Sequence, residues 1–185
     1  MGYDYSRDNL YFVTICVRDM VCCFGEIVAV GTGARAITGR GRGTGTGRDL
    51  SVRGFESSSN EFDQIMILNV YGKIVQDKLL WLAVQYPYVV MHNFVVMPNH
   101  VHAIIEIDSL KIQDKSMKVK SLSSLVGAFK TTASKRIHEV GFLDFSWHRS
   151  FHDHIIRNEI RFLTISNYID ENPLKWKADT FFRKI

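Results

Sequence analysis

Two β-rich runs in the middle of the chain set the terms for everything around them. Val89–Met97 and Val101–Ile107 are apolar and rich in branched side chains, and Pro98 and Asn99 between them read as a turn. Tyr11–Val17 has the same character and supplies a third strand. Helical spacing takes over elsewhere. Gly72–Gln85 suits a helix with Val75, Leu79, Leu82 and Tyr86 on one face. Leu122, Leu125, Val126, Phe129, Ala133 and Ile137 form the stripe of a second. A third is expected from about Asn158, an N-cap, with Glu159 favourable in the first turn and Phe162, Ile165 and Ile169 facing inward. Pro173 ends it, because the residue before a proline leaves the helical region. Strands and helices mix as an α+β sandwich with a mostly antiparallel sheet.

The 185 residues, 46% apolar and 12% aromatic, suffice for one hydrophobic core and exclude general disorder. We therefore expect a single domain over 1–185, interrupted at about 29–64 by a segment that has nothing to bury. Eight of the 13 glycines lie between Gly31 and Gly54, with five arginines against the single acid Asp49. A flexible surface loop accounts for such a composition, and so does an Arg/Gly segment attracted to a nucleic-acid backbone. Gly31-Thr32-Gly33-Ala34-Arg35-Ala36 matches a dinucleotide fingerprint in letters only. The fingerprint needs a helix to follow, and ITGRGRG follows instead.

A formal charge of +4 permits nucleic acid as a partner without requiring it. Cys16, Cys22 and Cys23 are odd in number and have no CxxC spacing, which fits neither a disulfide framework nor a zinc finger. No apolar stretch approaches the ~20 residues of a membrane span, and the first ten residues lack the apolar region of a secretory signal. The expectation is a soluble, reduced, cytoplasmic protein that has no membrane partner.

Chemistry concentrates in three places. In Asn99-His100-Val101-His102 the two histidines share a strand face about 7 Å apart and can clamp one divalent cation, and Glu106 lies further along that face. Solvent-facing edge histidines would show the same spacing. His152-Asp153-His154 is a second H-x-H pair, and spacing alone does not choose between them. His148, Arg149, Arg157 and Asn158 surround it, which suits phosphate contact as well as metal. On the last helix Tyr168 and Asn172 are four apart and share a face. A tyrosine hydroxyl is a weak nucleophile at neutral pH, and a metal that polarises the attacked phosphate lowers that barrier.

Taken in order, VVMPNHVHAIIEI, SLSSLVGAFKTTASKRI, WHRSFHDHIIRN and YIDENPLKW resemble the IS200-like single-tyrosine transposases, and within them the REP-associated branch. The resemblance covers about Tyr11–Ile27 and Met66–Phe182. It implies a ferredoxin-like sheet with helices packed on one face, as in HUH endonucleases. It assigns the metal to His100 and His102 rather than to the second pair, with Asn172 as third ligand and Tyr168 as nucleophile. The implied cofactor is Mg²⁺ or Mn²⁺. The implied substrate is single-stranded DNA beside a hairpin, cleaved through a 5′-phosphotyrosine, and a homodimer is compatible with the family. Lys130, Lys135, Arg136, Arg149, His154 and Arg157 are the expected DNA contacts. The departure is the interruption: an intact relative joins Glu26–Val28 to Met66–Asn69 by a short connection, whereas about 36 extra residues intervene here at a closure cost of only a few kcal/mol.

Overall fold

The computed structural model describes residues 9–30, 63–112 and 117–182. The Gly/Arg run and its fingerprint-like stretch lie outside them. Six strands and three α-helices are present among the described residues: β1 (Asn9–Cys16), β2 (Gly25–Val30), β3 (Asp63–Leu68), α1 (Val70–Gln85), β4 (Val89–Val96), β5 (His100–Ile107), α2 (Leu122–Glu139), β6 (His152–Ile156) and α3 (Glu159–Glu171). The main sheet has the order β4-β5-β1-β6, and every pairing in it is antiparallel. β5 and β1 pair from Asn9↔Ile107 to Cys16↔His100.

The central strands are covered on both sides, which is why β5 is buried along nearly its whole length instead of alternating with polar residues. On one face Tyr11, Val13, Ile15, Val101, Ala103 and Ile105 pack with the apolar stripes of α1 and α2 in a single core. On the other, Ile104 and Ile156 meet Ile169 of α3, with Leu10, Phe12, Val95, Phe162 and Ile165 around them. The helix carrying Tyr168 thus lies on the face opposite the two longer helices.

Side-chain caps set the helix starts. Asn158 accepts from Arg161 N–H, as its position predicts. Asn69 accepts from Tyr71 and Gly72, so α1 begins two residues before the apolar spacing indicates. Strand β6 is an addition to the elements expected from sequence. It is a short edge strand whose polar residues His152, Asp153 and His154 hide its β character.

β2 and β3 form a separate antiparallel hairpin in register from Gly25↔Leu68 to Val30↔Asp63. Ala29, Val30, Asp63 and Gln64, expected inside the interruption, are therefore paired strand residues, and 31–62 lie outside the described residues. Glycine is required at two close approaches, one between Phe24, just before β2, and the first turn of α1, the other inside the hairpin. A Cβ on Gly72 would lie 2.1 Å from the Phe24 carbonyl oxygen, and one on Gly25 would lie 2.0 Å from that of Ile67. No helix among the described residues is long and apolar enough to cross a membrane, and Cys16, Cys22 and Cys23 are free thiols.

Candidate active site

The two-residue period of β5 sends His100, His102 and Ile104 to the α3 face of the sheet. The imidazoles lie with ring centroids 4.5 Å apart and are almost wholly buried, at 0% and 1% exposure. Burial disfavours their charged forms. It lowers the pKa of His102 to about 3, and it holds His100 well below the usual histidine range, with neighbouring His102 adding to the effect. Both rings are neutral at physiological pH, so each carries one N–H and one lone pair.

Their neighbours decide which nitrogen is free. Asn99 spends its NH₂ on the carbonyls of Met20 at 3.1 Å and Phe181 at 2.8 Å. Its oxygen therefore accepts from His100 Nδ1–H at 2.9 Å, and the lone pair sits on Nε2. His102 Nδ1 is 2.9 Å from Thr14 Oγ1, while the Tyr168 hydroxyl lies 3.2 Å from Nε2. With the phenol protonated, it donates to Nε2 and the Nδ1–H of His102 goes to Thr14. Asn99 and Thr14 thus orient the two rings, and neither stands out by spacing. The only sequence signal for Asn99 is its place next to the pair. The Met20 carbonyl that Asn99 holds belongs to a turn in which Asp19 and Met20 have φ of 56° and 57°, left-handed conformations that non-glycine residues adopt at a cost.

Helix α3 brings the other two expected residues to the same place. Tyr168, 40% exposed, sits above the rings at its last turn. Asn172, its C-cap, is buried. Burial raises the tyrosine pKa, the carboxylate of Asp179 raises it further, and a hydrogen bond with Asn172 pulls the other way. Two buried side-chain atoms here, His100 Nε2 and Asn172 Oδ1, have no hydrogen-bond partner among the described residues. A lone pair left in that state costs about 1–3 kcal/mol unless a ligand satisfies it.

Asp179 lies outside the expected set. One nitrogen from each histidine and one carboxylate oxygen of Asp179 all fall within 4.8 Å of one another. It follows the short 3₁₀ turn Trp176–Ala178 beyond Pro173, in a stretch with no periodicity to mark it. Aromatic rings wall the group: Phe12 stacks on His102 at 5.2 Å, and Phe181 lies 4.8 Å from His100.

The expected DNA contacts are distributed differently. Lys130 Nζ donates to the carbonyls of His148, Arg149 and Ser150, and burial lowers its pKa. Its ammonium thus fastens the loop that leads into β6. Lys135 and Arg136 are exposed on α2, which packs on the other face of the sheet, and Arg136 pairs with Glu139 at 2.9 Å. Arg149 and Arg157 are exposed near the two ends of β6. His154 is exposed and pairs in register with Phe12, on the face that carries the histidine pair.

No protein-family model matches the chain. A Haemophilus influenzae protein of unknown role is 26% identical over 193 residues, which span 97% of this chain and 88% of that one. A transposase-like structure from Deinococcus radiodurans aligns with a TM-score of 0.46 at 13% identity, over 92% of this chain and 95% of that one. The REP-associated tyrosine transposase bound to a REP hairpin aligns with a TM-score of 0.52 at 16% identity, over 95% of this chain and 72% of that one. The antiparallel sheet with three helices described above is thus the fold of a REP-associated tyrosine transposase, in agreement with the resemblance carried by the motifs.

Proposed function

We propose that this chain is a metal-dependent, single-tyrosine transposase that cuts and rejoins single-stranded DNA beside a hairpin. One juxtaposition carries the reading: the Tyr168 hydroxyl stands 3.2 Å from His102 Nε2, in a site where buried His100 Nε2 and Asn172 Oδ1 have no hydrogen-bond partner among the described residues. Two neutral imidazole lone pairs and an amide oxygen suit a divalent cation, and we assign Mg²⁺ or Mn²⁺ to His100, His102 and Asn172. Bound there, the ion supplies Lewis-acid polarisation of the scissile phosphate and eases loss of the phenol proton.

Tyr168 is the nucleophile. Its oxygen forms a bond to phosphorus as the bond to the 3′ oxygen breaks, leaving a 5′-phosphotyrosine and a free 3′-hydroxyl, so rejoining needs no external energy source. His102 is a poor candidate for the base that takes the phenol proton. Burial lowers its own pKa to about 3 and raises that of the phenol, and both shifts oppose the transfer. Without a cation the Nε2 lone pair accepts the hydroxyl at 3.2 Å; with a cation bound, that lone pair would be a metal ligand instead and the hydroxyl would be released beside it. The REP hairpin bound to the transposase of the same fold favours hairpin DNA as substrate, with exposed Arg149, His154 and Arg157, on and beside β6, as phosphate contacts.

The test is a 3′-labelled hairpin oligonucleotide with a single-stranded flank, incubated with Mn²⁺ and run on a denaturing gel. A labelled protein band that is absent from Tyr168→Phe is the expected result. Cleavage without an adduct would make water the nucleophile. Binding with neither would make the chain a hairpin-binding protein that does not turn over.

A further inference from the structure

We infer that Asp179 is a fourth ligand of the same metal centre, a carboxylate delivered by the segment after α3. The inference rests on the metal-centre reading above and extends it to a residue outside the H-x-H pair and the Tyr168 helix. A carboxylate oxygen of Asp179 and one nitrogen of each histidine lie within 4.8 Å of one another, a separation that a single cation can bridge with small side-chain movements. The histidines cannot leave: they sit on a central strand, fixed by Asn99 and Thr14. Asp179 is held too. One of its oxygens accepts the Phe181 N–H at 2.7 Å, and the Phe181 carbonyl is tied to Asn99. The carboxylate and the ring of His100 are therefore positioned through a common hydrogen-bonded side chain.

The chemistry of the donor set argues the same way. Two imidazoles and an amide are all neutral, and they would leave the full charge of a divalent ion in a buried, aromatic-walled site. A carboxylate offsets half of that charge. It also adds a hard oxygen donor, which shifts the preference of a histidine-containing site toward Mg²⁺ or Mn²⁺.

The experiment is Mn²⁺ titration of the full chain, stripped with chelator, by calorimetry in the absence of DNA. Wild type, Asp179→Asn, Asp179→Glu and His100→Ala are compared, with circular dichroism as the folding control. Asp179→Asn keeps the acceptor for the Phe181 N–H and removes only the charge. The expected result is a Kd at least tenfold weaker for Asp179→Asn, with Asp179→Glu recovering part of it and His100→Ala showing no binding. Mn²⁺-dependent protection against thermal unfolding should shrink in the same order. If Asp179→Asn binds within twofold of wild type while His100→Ala does not bind, the metal centre stands and Asp179 is a bystander. If wild type itself binds no Mn²⁺, the metal-centre reading falls and the inference falls with it.

Discussion

Two buried neutral histidines make the site sensitive to acid. An unfolded histidine titrates near 6.5, and folded His102 does so near 3. Between those values the unfolded chain binds more protons, so this contribution to stability is complete above pH 6.5 and is lost as pH falls toward 3. Denaturant unfolding of the metal-free protein at pH 7.5 and 4.5 should show a loss of about 3 kcal/mol from His102, and His102→Gln should flatten that dependence. Thr14 provides a second test. Thr14→Val keeps the shape and removes the partner of His102 Nδ1, leaving a buried N–H unpaired. The expected cost is about 1–3 kcal/mol in stability and at least a tenfold loss of Mn²⁺ affinity. A variant that binds Mn²⁺ like wild type would show that the ring needs no orienting partner. The histidine pair, Tyr168 and Asn172 were all legible from spacing and resemblance. Thr14 was not, because a threonine in a strand looks like any other until the register places it opposite His102.

The helices and the central strands could be read because burial imposes a period on them. The helix stripes at spacings of three and four reappear as α1, α2 and α3, and Asn158 caps as expected. Strand β6 was missed because an edge strand need not be apolar, and polar alternation in HDHII looks like loop. Asp179 was missed because an irregular segment has no period at all. The placement of α3 was also unreadable, and one residue accounts for much of it. Asn93 sits where the register of β4 and β5 shifts between Met91 and Phe94. Its amide nitrogen reaches the Ser166 carbonyl at 3.3 Å, the Ser166 hydroxyl at 2.8 Å and Asp170 at 2.9 Å. These contacts bracket Tyr168 along the helix. Asn93→Ala should cost about 1–2 kcal/mol in unfolding and slow adduct formation more than it weakens hairpin binding. Equal losses in both would mean that Asn93 serves the fold in general rather than the nucleophile.

For the molecule as a whole, the β2–β3 hairpin sets the two ends of the interruption expected from the sequence. Residues Val30 and Asp63 are a register pair at the open end of the β2–β3 hairpin, where a two-residue turn can close it. Replacing residues 31–62 with Asn-Gly should therefore preserve circular dichroism and adduct formation, and raise stability by about 2 kcal/mol from the shorter loop. Loss of DNA binding in that variant, with the fold intact, would instead give the Gly/Arg segment a role in gripping the substrate. A last consequence follows from Asn99, whose single amide group joins the turn at Met20 to the backbone at Phe181. A chain cut just after Pro173 would keep His100, His102, Tyr168 and Asn172. It would lack Asp179 and the Phe181 carbonyl, and with them the carboxylate and one of the two anchors that aim His100. These four residues are thus not sufficient for their own arrangement, which depends on the chain as far as Phe181.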